Sequence, residues 1–146
     1  MKPLSKLLIN ILFVFPGIWT HSLVLADESV TPLEIAGATK VSAEQVFELA
    51  TNKPELIIID SRIPGDRLKG HIESSVSLPN TKTNCQTLSN ILPQKNTPAL
   101  FYCNGIKCGR SGKAIHIAKQ CGFKNLYWFR GGFEVWLEKG MPYMKE

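Results

Sequence analysis

Unbroken apolar runs alternate along this chain with stretches whose apolar positions recur every three to four residues. Leu56-Ile57-Ile58-Ile59 ends in Asp60, Ala99-Leu100-Phe101-Tyr102 ends in Cys103, and Leu126-Tyr127-Trp128-Phe129 forms a third run. Runs that are apolar at every position suit strands covered on both faces in a parallel sheet. Between them, Ser42-Ala43-Glu44-Gln45 has the capping-box form. Val46, Phe47, Leu49 and Ala50 follow it at helical spacing, and Asn52 to Pro54 give the stop. Ala114, Ile115, Ile117, Ala118 and Cys121 mark a second helical face closed by Gly122, and the segment from Phe133 to Lys139 a third, stopped by Gly140 and Pro142. Val76-Ser77-Leu78 predicts a short strand and Leu88 to Leu92 a brief helix. This alternation predicts an α/β fold: an open parallel sheet of about five strands flanked by helices, joined by right-handed crossovers. Ligands in such sheets bind beyond the carboxyl ends of the strands, where Asp60 and Cys103 both stand.

The first 26 residues follow another pattern. Lys2 and Lys6 precede an apolar run from Leu7 to Trp19, and Val24-Leu25-Ala26 offers small residues for cleavage. The segment reads as a secretory signal, with an uncleaved membrane anchor as the alternative; Asn10, Pro16, Thr20 and His21 interrupt the run. Export, to a bacterial periplasm, is the expected localisation, with no stable membrane insertion after cleavage. Residues 27–38 are expected to form an exposed N-terminal segment, and residues 39–146 a single domain. Loss of Lys2 and Lys6 with the signal lowers the net charge from +5 to +3. That modest excess, with no long basic run, argues against nucleic acid as a partner and fits a small anionic substrate.

Candidate chemistry centres on Cys103, which opens the segment Cys-Asn-Gly-Ile-Lys-Cys-Gly-Arg-Ser at positions 103 to 111. A thiol between a strand end and a helix N-terminus, with Lys107, Arg110 and Lys113 nearby, ionises more easily than a free cysteine at ~8.5. The ionised sulfur is a nucleophile. Neither a G-x-G-x-x-G nor a P-loop pattern occurs in the chain. No cofactor or metal site is expected: His71 stands apart from any cysteine cluster.

Several motifs occur in one order. They are Asp60-Ser61-Arg62, Gly70-His71-Ile72, Tyr102-Cys103, Arg110-Ser111, and Gly131-Gly132 followed by Trp136, Gly140 and Pro142. In this the chain resembles the rhodanese-like sulfurtransferases over almost the whole segment after residue 38. The resemblance implies a rhodanese-like open sheet and transfer of a sulfane sulfur from thiosulfate or a persulfide donor through a Cys103 persulfide. The acceptor would be a thiol, cyanide or a protein thiol. Residues Asn104, Gly105, Ile106, Lys107, Cys108, Gly109, Arg110 and Ser111 would form an anion cradle, with Asp60, Arg62 and His71 supporting it. Asp60 has two readings, a general base or a brace for the loop; Arg62 either pairs near Asp60 or reaches the pocket; His71 matches a turn-bracing position.

Two departures stand beside the resemblance. Six residues separate Cys103 from Arg110, where rhodanese loops usually have four. The longer loop leaves open a phosphatase-like or arsenate-reductase-like chemistry. Cys108 makes the loop a Cys-Asn-Gly-x-x-Cys variant. It is a candidate resolving cysteine, whose disulfide with Cys103 would make the domain a redox or sulfur-binding module, or else a small residue folding the loop. Of the other cysteines, Cys121 is expected to be a packed thiol by its apolar spacing, and Cys85 to be either paired or free.

Overall fold

The computed structural model describes residues 31–145, so the expected signal segment at 1–26 lies outside the described residues. Five strands form one parallel sheet: β1 (Thr39–Lys40), β2 (Ile57–Asp60), β4 (Val76–Ser77), β5 (Ala99–Tyr102) and β6 (Leu126–Phe129), in the order β1-β6-β5-β2-β4. The three apolar runs are the central strands. Their registers align Asp60 with Tyr102 and Tyr102 with Phe129, so Ser61, Cys103 and Arg130 follow together at the carboxyl edge.

Alternate residues of each run face opposite layers, which explains why every position is apolar. Ile59, Phe101 and Trp128 pack with Leu88, Ala114, Ile115 and Ala118, from α3 (Cys85–Ile91) and α4 (Arg110–Gln120). Ile58, Leu100, Tyr102 and Phe129 pack with Val46 of α1 (Ala43–Asn52) and with Phe133 and Trp136 of α5 (Gly132–Glu138). The α1 capping box is present in both directions, Ser42 Oγ accepting from Gln45 N and Gln45 Oε1 from Ser42 N.

Five short elements were not expected from the pattern. They are the edge strand β1, α2 (Pro64–Arg67), a 3-10 turn at Asn80–Lys82, and β3 (His71–Ile72) paired antiparallel with β7 (Tyr143–Met144). Each has two to four residues, too few to show a period. Of the segment expected to be exposed at 27–38, the described part is exposed at Pro32, Leu33, Glu34, Ala36 and Gly37, but two of its side chains are docked. Thr31 and Ile35 are buried, Ile35 within the α3/α4 core, whereas Leu33 is exposed.

Cys121 is not a packed thiol. It is joined to Cys85 in a disulfide that ties the start of α3 to the C-cap of α4. Apolar spacing places a sulfur against the core but does not say whether a partner waits there. Closing a 36-residue separation removes denatured-state entropy worth roughly 3–4 kcal/mol. The double variant Cys85→Ser/Cys121→Ser is therefore expected to lose about 2–4 kcal/mol of stability, read from its urea midpoint beside the parent protein.

Candidate active site

Cys103 emerges directly from β5, and its backbone is fastened from behind. Phe133 N donates to the Cys103 carbonyl at 2.8 Å and Glu134 N to the Asn104 carbonyl at 2.7 Å. Gly132 makes this fit possible: its φ is +62°, and a Cβ there would stand 2.5 Å from the Cys103 carbonyl oxygen. Such a backbone favours glycine, and the contact leaves no room for a side chain. The Gly131-Gly132 pair thus works as a turn that seats α5 against the cysteine loop.

Beyond Asn104 the chain turns, with Cys108 N donating to the Gly105 carbonyl at 2.9 Å, and enters α4 at Arg110. Gly109 caps α4 without a side-chain acceptor, so the helix offers first-turn amide hydrogens and the positive end of its dipole to the loop. Cys103 is joined to Cys108 by a disulfide, and all four cysteines are paired. Cys103 itself is only 2% exposed. An open cavity of about 390 Å3 is lined by Asn104, Gly105, Lys107, Cys108, Gly109, Arg110 and Glu134.

The other expected cradle residues fall in several places. Arg110 reaches the cavity but pairs with Asp66 at 3.4 Å, and Asn104 Nδ2 donates to the same carboxylate at 2.9 Å. Ile106 is exposed, and its carbonyl accepts from Thr31 Oγ1. Arg130 holds the same segment, donating to the Pro32 carbonyl at 2.8 Å and to Thr31. The Ser111 side chain belongs to the core, accepting from Trp128 Nε1 at 3.0 Å. The loop thus rests on Asp66, Glu134 and Thr31, none of which the sequence reading singled out. Asp66 had one usable signal, since Pro64 opens a helical turn four residues after the loop-facing strand end. Thr31 and Glu134 had none, because their contacts are made across 75 and about 30 residues of chain.

Asp60, Arg62 and His71 form a separate buried network behind the cysteine loop. Arg62 grips Asp60 with two guanidinium nitrogens, at 2.6 and 2.9 Å, and also donates to the Gly70 carbonyl at 2.8 Å. Arg62 N donates to Asp60 Oδ1, and Tyr102 OH to Asp60 Oδ2 at 2.7 Å. Arg67 adds a second cation 3.5 Å from Asp60 and donates to the Ser75 carbonyl. His71 lies in this group, its Nδ1 3.0 Å from the Ile72 carbonyl. The Arg62 guanidinium also sits 4.4 Å from the Phe133 ring centre, a cation–π contact that links the network to α5.

Burial pushes the Arg62 pKa down, but the hydrogen bonds and charge of Asp60 more than reverse this, and the group stays charged. Burial pushes the Tyr102 phenol well above its usual range, and the Asp60 charge pushes it further. A raised folded pKa means that the stability involved is fully present below the ordinary tyrosine value of ~10 and is lost as pH rises beyond it. Unfolding midpoints taken from pH 8 to 11 should therefore fall at the alkaline end. Tyr102→Phe should show a shallower fall.

The Rhodanese-like domain family matches residues 42–139. The chain is 25% identical over 121 residues to the "Probable adenylyltransferase/sulfurtransferase MoeZ" of Mycobacterium tuberculosis, covering 83% of this chain and 29% of that protein. It therefore spans less than a third of the length of the curated relatives it matches. Among solved structures, a Bacillus halodurans protein superposes with a TM-score of 0.65 at 22% identity, over 74% of this chain and 77% of that one. The rhodanese-like domain of an Anabaena sp. protein gives 0.64 at 21%, over 73% and 79%. A thiosulfate sulfurtransferase of Pseudomonas aeruginosa gives 0.60 at 20%, over 74% of this chain and 20% of that one. At these identities the superpositions speak to the fold: an α/β sheet of five parallel strands flanked by helices.

Proposed function

The chain belongs to the rhodanese-like domain family, and from that premise we propose that it is a sulfurtransferase in which Cys103 carries the sulfur. Its thiolate attacks the outer sulfur of an anionic donor such as thiosulfate, sulfite leaves with the bonding electrons, and a Cys103 persulfide remains. A thiol or cyanide then takes the outer sulfur and the thiolate returns. The observation that carries this reading is the placement of Cys103 at the carboxyl end of β5, bonded to Cys108 at the entry to α4, whose first turn has no side-chain cap. Amide hydrogens and a helix dipole there favour an anion on sulfur. Lys107 and Arg110 at the cavity would draw the donor in, and the Asp60–Arg62–His71 network would brace the strand ends.

Two disulfides fit an oxidising compartment, which supports export of the chain to a periplasm. They also give the second reading, a redox module, its specific support, because the loop can close on itself. In the combined account Cys108 resolves the persulfide: its thiolate attacks Cys103 Sγ, hydrogen sulfide leaves, and the pair is oxidised as the sulfane sulfur is reduced. The closed form cannot attack a donor. Thiocyanate production from thiosulfate and cyanide should thus be absent in the oxidised protein and appear after reduction by a dithiol. Absence of turnover in the reduced protein, with hydrolysis of para-nitrophenyl phosphate instead, would replace this reading by the phosphatase one.

A further inference from the structure

The two sulfurs of the loop disulfide are not equivalent. Cys103 is 2% exposed, its carbonyl is fixed by Phe133 N, and the residue behind it, Tyr102, is fully buried. Cys108 is partly exposed and lines the open cavity together with Lys107 and Arg110, whereas Cys103 does not line it. A thiolate attacking a disulfide approaches the sulfur it bonds to from the side opposite the leaving sulfur. Cys108 borders open space, whereas Cys103 is almost wholly covered by its neighbours.

We propose that the closed loop is a substrate for external dithiols and that they react at Cys108, releasing Cys103 as the thiolate. The proposal deepens the reading above, in which the loop cycles between disulfide and dithiol. In the first step the incoming thiolate forms a bond to Cys108 Sγ. The Cys103–Cys108 bond breaks, and its electron pair leaves on Cys103. In the second step the other thiol of the dithiol attacks its own sulfur in the mixed disulfide, and Cys108 leaves and takes up a proton. The dithiol is oxidised by two electrons and the cysteine pair reduced by two. The order has a consequence for sulfur transfer: the nucleophile is freed in the first step, before the reductant has left. Exposed Ile106, at 49%, and Lys107 beside Cys108 give the dithiol a surface to rest on that is partly apolar and basic.

The sequence supplies its own test, because trypsin cuts at Lys95, Lys107 and Arg110 and so separates the Cys103 peptide, 96–107, from Cys108-Gly109-Arg110. The oxidised wild-type protein is mixed with excess glutathione for seconds to minutes, quenched in acid, capped with N-ethylmaleimide at low pH and digested. The expected result is at least a tenfold excess of glutathione on the Cys108 peptide, with maleimide on the Cys103 peptide. Glutathione mainly on Cys103, an even division, or a disulfide that no thiol opens would overturn the proposal. A parallel arm compares opening rates with dithiothreitol and with a thioredoxin at equal concentration. A tenfold faster rate with the protein assigns the dithiol to a protein, and equal rates assign it to small molecules. Sulfur transfer is scored separately on protein reduced beforehand, as persulfide on Cys103 plus sulfide released, so a protein that takes glutathione on Cys108 but yields neither from thiosulfate contradicts only the sulfurtransferase reading.

Discussion

Cys103→Ser is expected to lower thiocyanate production from thiosulfate and cyanide by three orders of magnitude or more. Losing a covalent nucleophile removes the whole pathway rather than one contact, and such losses reach roughly a millionfold where the group acts as part of a unit. A serine hydroxyl keeps the size of the thiol, so folding is little disturbed, but it neither ionises near neutral pH nor holds a sulfane sulfur. The variant also cannot close the loop, since Cys103 and Cys108 are the two ends of one disulfide. Cys108→Ser separates the two effects. It should retain sulfur loading after reduction, lose the dependence on prior reduction, and release less sulfide from the persulfide. Steady-state thiocyanate assays on the parent and both variants, before and after dithiothreitol, with sulfide release measured alongside, check all of this. A Cys103→Ser protein with near-parental turnover would remove Cys103 from the chemistry.

Asp60→Ala is expected to be the most damaging single change to stability, at about 3–5 kcal/mol. The carboxylate is 1% exposed and Arg62 is 2% exposed, so its removal leaves a guanidinium charge in the interior without its bidentate partner. Tyr102 OH loses its 2.7 Å acceptor at the same time, and Arg67 its 3.5 Å neighbour. Neither water nor another carboxylate replaces them cheaply, because burial is what makes the pair strong and its breakage costly. Against a usual total of roughly 5–15 kcal/mol, the loss is a large share of the whole and should lower the urea midpoint in proportion. Glu34→Gln, which breaks an exposed pair with Lys40, should leave the midpoint where it was. An unchanged midpoint for Asp60→Ala would mean that the network does not brace the strand ends.

The strand ends were legible because the sheet is parallel and buried on both faces. A run such as Leu56 to Ile59 has to be apolar throughout, and the first polar residue after it marks the edge. The capping box at Ser42 and the glycine after Cys121 were legible for a similar reason, since helix ends must satisfy their own backbone groups with nearby residues. What the sequence withheld are contacts made across the fold. The carboxylate of Asp66 reaches Asn104 and Arg110 from a four-residue helix, and Thr31 reaches Ile106 from a segment that has no period of its own. The Cys85–Cys121 bond is of the same kind, because spacing alone allows three pairings of four cysteines and only the packing of α3 on α4 selects one. Ser111 shows the opposite error. Its position beside Arg110 suggested the cradle, but at the start of α4 its side chain turns toward Trp128 and the core.

The most direct measurement weighs the Cys103 peptide after reduced Cys108→Ser protein, which has no thiol to resolve the persulfide, has met thiosulfate. Tryptic peptide 96–107 should gain the mass of one sulfur atom and lose it again on addition of cyanide, while peptide 108–110 stays unchanged. No gain on that peptide, or a gain that cyanide does not remove, would contradict a sulfur-carrying Cys103.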